Sequence, residues 1–384
     1  MSPRSRRTIV LVANDVGGKG GMETHLEEVI TRLKRDHNVV VVAATMKLRD
    51  AEGVRFVRVP VIARPVPIMM ILFAIVASIR LLFIKRDLLH TTGAIVFNRA
   101  DFSTVHFCIA GYRQAVGDKE SGQSRSWPYR LNQRLTTGIA LAMERLIYRP
   151  ERTKRLIAVS NRVKSEVLSF FPYAPSMVEV VPNGVDVQTF RPYDERSKQE
   201  ARAKLGLPGT GQLLLFMGGD WHRKGLGYVI EAFNRVAEQF PALQLLVVGG
   251  GDSEAYRKRV AAAYRDRVRF AGKQPNPEEW LGASDVFICP TLYETFSLAV
   301  HEAAAAGLAV MATRVGGVED LIEHKVNGYY IERDANGIAE SLRELLAQER
   351  RGELGLKASR KVQALTWDHT YRRFSELYRQ AFPT

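Results

Sequence analysis

The hydrophobic positions of the chain form short apolar runs, and most of these runs are followed by a stretch with helical periodicity. Continuous runs of four to six apolar residues are typical of buried parallel strands, because polar residues do not alternate with them. The alternation of such runs with helices predicts an α/β protein. The clearest predicted strands are 8–13, 39–44, 54–59, 88–90, 156–159, 213–217, 243–248, 268–272, 286–289 and 308–312.

The length of 384 residues is too great for one ordinary core and predicts two domains. Pro182, Asn183 and Gly184 interrupt the strand pattern and predict the joint between them. We expect an N-terminal domain over 1–186 and a C-terminal domain over 187–366. An amphipathic helix is predicted from Trp367 to the end.

The stretch from Pro290 to Gly307 carries the most specific chemistry. Its pattern predicts a loop holding Glu294, a helix that begins at Ser297 or Leu298, and Gly307 as the helix cap. A helix N-terminus favours a phosphate, and carboxylates beside it accept hydrogen bonds from sugar hydroxyls. Glu302 lies one turn inside the same helix face. The alternative is a surface loop with two solvated glutamates.

Two glycine-rich loops follow predicted strands. The first, 17–23, contains Gly20 and Gly21, which let a ligand approach the backbone closely; the alternative is a flexible turn. The second, 218–225, ends with Arg223, Lys224 and a glycine. Adjacent fixed cations stabilise the charge that develops on a departing diphosphate. The alternative is that both cations are solvated.

The segment E-T-F-S-L-A-V-H-E, from Glu294 to Glu302, resembles the E-x7-E signature of family 4 retaining glycosyltransferases. The resemblance continues through 305–307 and the glycines at 316–317. It implies the GT-B fold, with two Rossmann-like domains facing a central cleft. The N-terminal domain would bind the acceptor, the C-terminal domain the nucleotide sugar, and the final helix would pack back on the first domain. Thr295 and Ser297 stand where the family commonly has glycine.

The same resemblance assigns roles to individual residues. Arg223 and Lys224 would hold the diphosphate, although the family's earlier arginine is absent and Gly219 stands near its place. His106 would face the donor sugar from the end of a further predicted strand, which finishes at 104–107; the alternative is a satisfied core histidine, and His90 is a weaker candidate. Catalytic roles fall to His106, Arg223, Lys224 and Glu294. Donor binding falls to Gly20, Gly21, Thr295, Phe296, Ser297, Leu298 and, for the ribose, Glu302.

Composition limits the partners. The net charge is +14, with 28 Lys/Arg against 16 Asp/Glu up to Val187 and 27 against 25 after it. Such asymmetry favours an anionic partner near the first domain, a glycan or lipid-linked acceptor or an anionic membrane surface, although a basic chain is also simply soluble. No motif for nucleic acid, zinc or Asp-x-Asp metal binding occurs, so we expect no nucleic acid, no metal and no cofactor beyond the nucleotide sugar.

The two cysteines, Cys108 and Cys289, lie in apolar sequence and favour a reducing compartment. We find no signal-peptide pattern after the basic lead at 1–7 and expect a cytoplasmic protein, or one peripheral to the inner face of a membrane. Two other functions stay open, a nucleotide-sugar epimerase on the same fold and a non-catalytic nucleotide-sugar-binding protein.

Two segments of the first domain remain ambiguous. The stretch 66–84 is apolar on all sides, and its uncharged part, 66–79, is 14 residues long, which is too short to span a bilayer. We favour a buried crossover helix there, and the alternative is a helix lying in a membrane surface. The polar stretch 111–128 predicts a loop, with the hypothesis that it closes over the acceptor.

Overall fold

The computed structural model describes residues 6–18, 20–62, 64–117, 127–348 and 351–382. The chain divides into two compact units. Unit 1 comprises Met1–Gly184 with Trp367–Thr384, and unit 2 comprises Val185–Thr366. Each unit has a parallel sheet with helices on both faces, so the predicted α/β class is confirmed.

Unit 1 has a seven-stranded parallel sheet in the order β5-β3-β1-β6-β7-β8-β9, and β2 pairs with β4 separately. The order reverses between β1 and β6, which is the switch point of a Rossmann-like sheet. Its strands are β1 (Thr8–Val12), β2 (Asp15–Val16), β3 (Asn38–Ala43), β4 (Thr45–Met46), β5 (Val54–Arg58), β6 (Leu88–Thr92), β7 (Ala100–Val105), β8 (Thr153–Ala158) and β9 (Val178–Val180).

Alternate residues of β1 contribute to different apolar clusters, as the two-residue repeat of a strand requires. Ile9 and Leu11 belong to one cluster, whereas Val10 and Val12 belong to the other. Burial on both faces explains the continuous apolar runs in the sequence. The helices of this part of the chain are α1 (Gly21–Asp36), α2 (Val66–Leu82), α3 (Ile109–Val116), α4 (Trp127–Ile147) and α5 (Asn161–Phe170).

Unit 2 has a six-stranded parallel sheet in the order β12-β11-β10-β13-β14-β15, with the switch point between β10 and β13. Its strands are β10 (Gln212–Met217), β11 (Leu243–Val248), β12 (Val268–Gly272), β13 (Val286–Cys289), β14 (Ala309–Ala312) and β15 (Tyr329–Tyr330). Its helices are α6 (Glu195–Lys204), α7 (Trp221–Lys224), α8 (Leu226–Val236), α9 (Ser253–Arg257), α10 (Pro277–Ala283), α11 (Leu298–Ala305), α12 (Val318–Leu321), α13 (Ala335–Ala347) and α14 (Arg351–Val362).

The last helix, α15 (Trp367–Ala381), belongs to unit 1. Its residues Phe374, Leu377 and Tyr378 are buried in the same apolar cluster as β1. Tyr371 also bonds the Asp36 carboxylate at the end of α1 with its hydroxyl. The apolar cluster on this face of the sheet is therefore completed by a helix that begins more than 180 positions after the first segment of unit 1 ends.

The prediction of a loop over 111–128 is wrong at both ends. Residues up to Val116 are helical in α3, and α4 begins at Trp127. The Glu144 carboxylate of α4 accepts hydrogen bonds from the backbone N–H groups of Ile109 and Ala110, at 2.8 and 3.2 Å. A distant carboxylate thus caps α3, which the local sequence does not reveal. Residues 118–126, on which the acceptor-closure hypothesis depends, lie outside the described residues.

Helix α2 divides its apolar residues between the core and the surface. Phe73, Ala74 and Ala77 are buried, whereas Ile71 and Ile75 are 44% and 43% exposed. The expectation of a buried crossover helix is therefore right for one face only. Among the described residues, no helix combines the length and the apolar character that crossing a bilayer requires.

Candidate functional site

The candidate site of unit 2 lies where two loops leave neighbouring strands. Loop 218–225 follows β10 and loop 290–297 follows β13, and these strands are adjacent at the switch point of the sheet. Loops at such a point leave toward opposite faces and open a crevice at the carboxyl ends of the strands. Leu292 donates its backbone N–H to the carbonyl of Arg223 at 2.9 Å, so the two loops are directly joined.

A carboxylate and two cations form the centre of this site. Oε1 of Glu294 lies 3.1 Å from the Arg223 guanidinium and 3.4 Å from Nζ of Lys224. It also accepts the hydroxyl of Thr291 at 3.4 Å. Arg223 donates further to the carbonyl of Tyr293 at 2.6 Å. Burial opposes the charges of Arg223 and Lys224, but the Glu294 carboxylate, together with Asp220 in the case of Arg223, raises the pKa of both above its ordinary value.

Two residues that sequence reasoning missed position these cations. Asp220 has a left-handed backbone, with φ of 49°, and its carboxylate accepts Nε of Arg223 at 3.0 Å. Arg333 donates to the carbonyl of His222 at 2.6 Å and to the carbonyl of Pro290 at 3.2 Å. Arg333 thereby ties the end of one loop to the start of the other. Neither residue belongs to a motif, so only the tertiary structure reveals them.

The loop that carries Glu294 lies directly against two glycines. The backbone N–H of Gly316 donates to the carbonyl of Glu294 at 3.0 Å. A Cβ at Gly316 would lie 2.5 Å from the carbonyl oxygen of Thr295, and one at Gly317 would lie 2.4 Å from that of Phe296. Only glycine permits this approach without displacing the backbone.

Helix α11 begins at Leu298, within the predicted range, and Ser297 precedes it. Ser297 has a left-handed backbone with φ of 58° and does not cap the helix with its side chain. Its hydroxyl is buried and has no hydrogen-bond partner among the described residues. Phe296 is buried and stacks on His301 with ring centroids 3.9 Å apart, which fixes the turn before the helix.

Glu302 lies one turn into α11 and is half-buried. Burial raises the pKa of Glu302 to about 7, against the opposing effect of the Lys224 ammonium group. The carboxylate forms no hydrogen bond or ion pair with the residues that the structure describes. It is therefore available to a ligand.

We expect nucleotide diphosphate affinity to increase with pH through about 7, because the ionised Glu302 carboxylate accepts ribose hydroxyls better than the protonated acid does. Calorimetric titration of the wild type and of Glu302→Gln at several pH values measures this. Glu302→Gln should remove the part of the pH dependence of affinity that comes from the protein. The part that comes from titration of the nucleotide's phosphate should persist in both proteins. Identical pH profiles would contradict the assignment.

The predicted residues of unit 1 lie near one another. Gly20 precedes α1 and accepts the backbone N–H of Thr24 at 2.9 Å, and Gly21 is the first residue of that helix. His25, one turn further, packs edge-on against His106 with ring centroids 4.5 Å apart. His106 directly follows β7, as expected. Burial lowers the pKa of His25 to about 4 and that of His106 well below its ordinary value, so both are neutral at pH 7.

His90 is a satisfied core histidine. Its Nε2 lies 2.8 Å from the hydroxyl of Thr104, and its Nδ1 bonds the hydroxyl of Tyr378. Sequence reasoning missed His25, although its position four residues after Gly21 was the available signal.

No group of three or more His, Cys, Asp or Glu side chains arranged for a metal occurs in the described part of the chain.

Family models match both halves of the chain. The model described as "Glycosyltransferase Family 4" matches residues 19–189, and the one described as "Glycosyl transferases group 1" matches residues 211–348. The chain belongs to glycosyltransferase family 4. The resemblance seen in the sequence is thus confirmed.

Two curated relatives of this family 4 protein match different shares of its length. A D-inositol 3-phosphate glycosyltransferase of Thermomonospora curvata is 32% identical over 248 residues, which are 60% of this chain and 58% of the relative. An uncharacterized glycosyltransferase of Methanocaldococcus jannaschii is 27% identical over 327 residues, 81% of each chain. The matched region thus spans about three fifths of the first of these proteins.

Solved structures of similar fold include GT-B glycosyltransferases, which confirms the predicted fold class. WaaG, a glycosyltransferase involved in lipopolysaccharide biosynthesis, superposes with a TM-score of 0.80 at 19% identity, covering 96% of this chain and 99% of WaaG. The Anabaena protein HepE, solved with UDP-glucose, gives a TM-score of 0.71 at 16% identity, covering 98% of this chain and 100% of HepE.

Proposed function

We propose that this family 4 protein transfers a sugar from a nucleotide diphosphate sugar to an acceptor hydroxyl, with retention of the anomeric configuration. The observation that carries the proposal is the contact of Glu294 with both Arg223 and Lys224 at the switch point of unit 2. Such a site combines hydrogen-bond acceptors for sugars with cations for a diphosphate.

In the proposed complex, Arg223, Lys224 and the N-terminus of α11 hold the diphosphate. Leu298 begins that helix, and Thr295 and Phe296 shape the turn before it. The three contacts of Glu294 all go to Oε1, which leaves Oε2 for hydroxyls of the donor sugar. Glu302 accepts the ribose hydroxyls. Gly20, Gly21 and His106 of unit 1 are proposed to contact the diphosphate and the donor sugar.

The proposed reaction needs no enzyme nucleophile. The acceptor oxygen attacks the anomeric carbon on the face that the diphosphate leaves, so one carbon–oxygen bond forms as the other breaks. The acceptor proton passes to the departing phosphate oxygen. Arg223 and Lys224 stabilise the charge on the diphosphate, and the reaction is proposed to be independent of metal.

The acceptor is proposed to be a glycan or a lipid-linked sugar in cell-surface glycan, lipopolysaccharide or glycolipid synthesis, carried out on the cytoplasmic side. The support is the positive charge of the first half of the chain and the role of WaaG in lipopolysaccharide biosynthesis. Because HepE has been solved with UDP-glucose, UDP-sugars are the first donors to test.

The experiment is nucleotide diphosphate release from UDP-, GDP- and ADP-sugars, with and without EDTA and with candidate acceptors. Acceptor-dependent release from one donor, unchanged by EDTA, supports a metal-independent transferase, and the anomeric configuration of the product tests retention. Conversion of the donor without an acceptor would indicate an epimerase instead. Donor binding without any turnover would indicate a non-catalytic binding protein.

We expect Ser297→Ala to weaken nucleotide diphosphate binding by roughly fivefold, which corresponds to the loss of about one hydrogen bond. Thermal stability should not fall. Its buried hydroxyl, at the proposed diphosphate position, finds no hydrogen-bond partner in the described part of the chain, so we expect its removal to cost the free protein little. Calorimetry and thermal melting measure the two effects. The matched control is Ser284→Ala, because the buried hydroxyl of Ser284 donates to the carbonyl of Trp280 at 2.7 Å and its loss should lower stability only. Unchanged affinity in Ser297→Ala would contradict the role.

A further inference from the structure

One surface of unit 1 exposes large apolar side chains along a single helix. They recur every three or four positions of α2, which places them on one side of the helix. Exposure rises from 43% at Ile75 to 71% at Leu82 and 83% at Phe83, the residue that follows the helix. We call these residues the isoleucine face: Ile68, Ile71, Ile75, Ile79, Leu82 and Phe83.

The opposite side of α2 packs in the core, so the fold of unit 1 does not explain the exposed side. Phe73, Ala77 and Leu81 are fully buried in the cluster that covers the sheet. An amphipathic helix of a globular protein usually carries polar residues on its outer side. Contiguous exposed apolar surface of this kind marks a site of interaction.

Four cations lie beside the isoleucine face, and we call them the cation row. Arg55, Arg58 and Arg80 line one cleft of about 400 Å³ along the edge strand β5. Arg55 also lines a second cleft, of about 600 Å³, with Phe83 and Lys85. The row is thus continuous with the apolar face. None of the charged side-chain groups of these four residues forms an ion pair or a hydrogen bond with any residue in the described ranges.

We propose that unit 1 docks on an anionic lipid bilayer through the isoleucine face and the cation row. An interfacial helix inserts its apolar face at the boundary of the acyl chains and holds cations beside that face among the lipid headgroups. The isoleucine face and the cation row have this arrangement. The unpaired cations would meet lipid phosphates, each contributing through its charge.

Charge complementarity favours a bilayer over a second copy of the chain. In a symmetric dimer the same patch occurs on both partners, so Arg55, Arg58, Arg80 and Lys85 of one copy would approach the same cations of the other. The surrounding sequence increases that repulsion, because the chain up to Val187 has 28 Lys/Arg against 16 Asp/Glu. An anionic surface is attracted by the same charges.

The test is flotation of the full chain with phosphatidylcholine vesicles that contain or lack phosphatidylglycerol, without any donor sugar. We expect binding only to the anionic vesicles, and weaker binding at high salt. Arg55→Gln/Arg80→Gln should reduce the partition coefficient roughly 25-fold, about fivefold for each cation. Lys357→Gln/Arg360→Gln, which removes two exposed cations from α14 of unit 2, is the matched control and should bind as the wild type does.

The apolar contribution has its own pair of variants. Ile75→Asp should weaken vesicle binding at least tenfold, whereas Leu356→Asp, at 45% exposure on α14, should have the effect of one added negative charge only. Failure of the wild type to float with anionic vesicles would overturn the proposal, as would equal effects of the two variants. A concentration-dependent dimer that Ile75→Asp abolishes, with no vesicle binding, would assign the face to a second copy instead. Vesicle binding needs no turnover, so its result is independent of the proposed transferase activity.

Discussion

Lys224→Met is expected to slow nucleotide diphosphate release about a thousandfold while leaving the fold intact. The Lys224 ammonium lies 3.4 Å from Glu294, and its side chain is largely buried beside the proposed diphosphate position. A fixed cation at a leaving group is most effective in the transition state, and a thousandfold change corresponds to about 4 kcal/mol. Methionine keeps most of the aliphatic volume, so packing changes little.

The measurement is steady-state release with the preferred donor, separated into kcat and KM. Loss of a transition-state interaction should appear mainly in kcat. Lys357→Met is the control, because Lys357 is exposed on α14. A Lys224→Met enzyme that keeps wild-type kcat would contradict the role.

A double-mutant cycle with Glu294→Gln tests whether the ion pair itself matters. Lys224→Met leaves Arg223, at 3.1 Å, as the remaining cation in contact with Glu294, and Glu294→Gln removes the charge that both cations contact. Because the three side chains form one network, the effects should combine to much less than their sum. Additive effects would mean that Lys224 and Glu294 act independently.

The sequence predicts the centre of the candidate site because that centre is built from local signals. Apolar runs locate β10 and β13, and the residues after each strand must lie at the carboxyl edge of the sheet. Arg223, Lys224 and Glu294 all lie in such loops, so placing the strands correctly also placed these side chains. Their direct contact is the additional information that the structure supplies.

Features that depend on distant parts of the chain were not predictable in this way. Arg333 contacts the carbonyl of Pro290, 43 residues earlier, and Glu144 caps α3 from 35 residues later. Helix α2 shows the same limit in another form. Because nearly all of its residues are apolar, hydrophobic periodicity cannot indicate which side is buried. Packing against the sheet decides that, and it leaves the isoleucine face exposed.

Two residues of the candidate site have left-handed backbone although they are not glycine. Ser297 occupies a left-handed position where glycine is common, and Asp220 occupies another beside the cations. Left-handed backbone costs a non-glycine residue about 1 kcal/mol or more. Asp220 offsets this cost through its contact with Arg223, whereas the Ser297 hydroxyl has no partner among the described residues. The unpaired hydroxyl therefore supports a role toward a ligand.

Gly316→Ala is expected to reduce turnover about a hundredfold and to weaken donor binding. The new Cβ would lie 2.5 Å from the carbonyl oxygen of Thr295 and 2.8 Å from that of Glu294, closer than any unstrained contact. Backbone atoms cannot swing aside as a flexible side chain does, so the loop must move. That movement displaces the Glu294 carboxylate from Arg223 and Lys224, and misplacement by about 1 Å costs on the order of a hundredfold.

Calorimetric titration with the donor, together with thermal melting, separates this effect from unfolding. Gly138→Ala is the control, because a Cβ at Gly138 meets no atom within 4 Å and alanine favours the helix that contains it. The same methyl group is thus added at a position without a neighbour and at one that supports the site. Normal donor affinity in Gly316→Ala would show that Glu294 does not need its observed position to bind the donor, and the proposed contact of its carboxylate with the sugar would then be wrong.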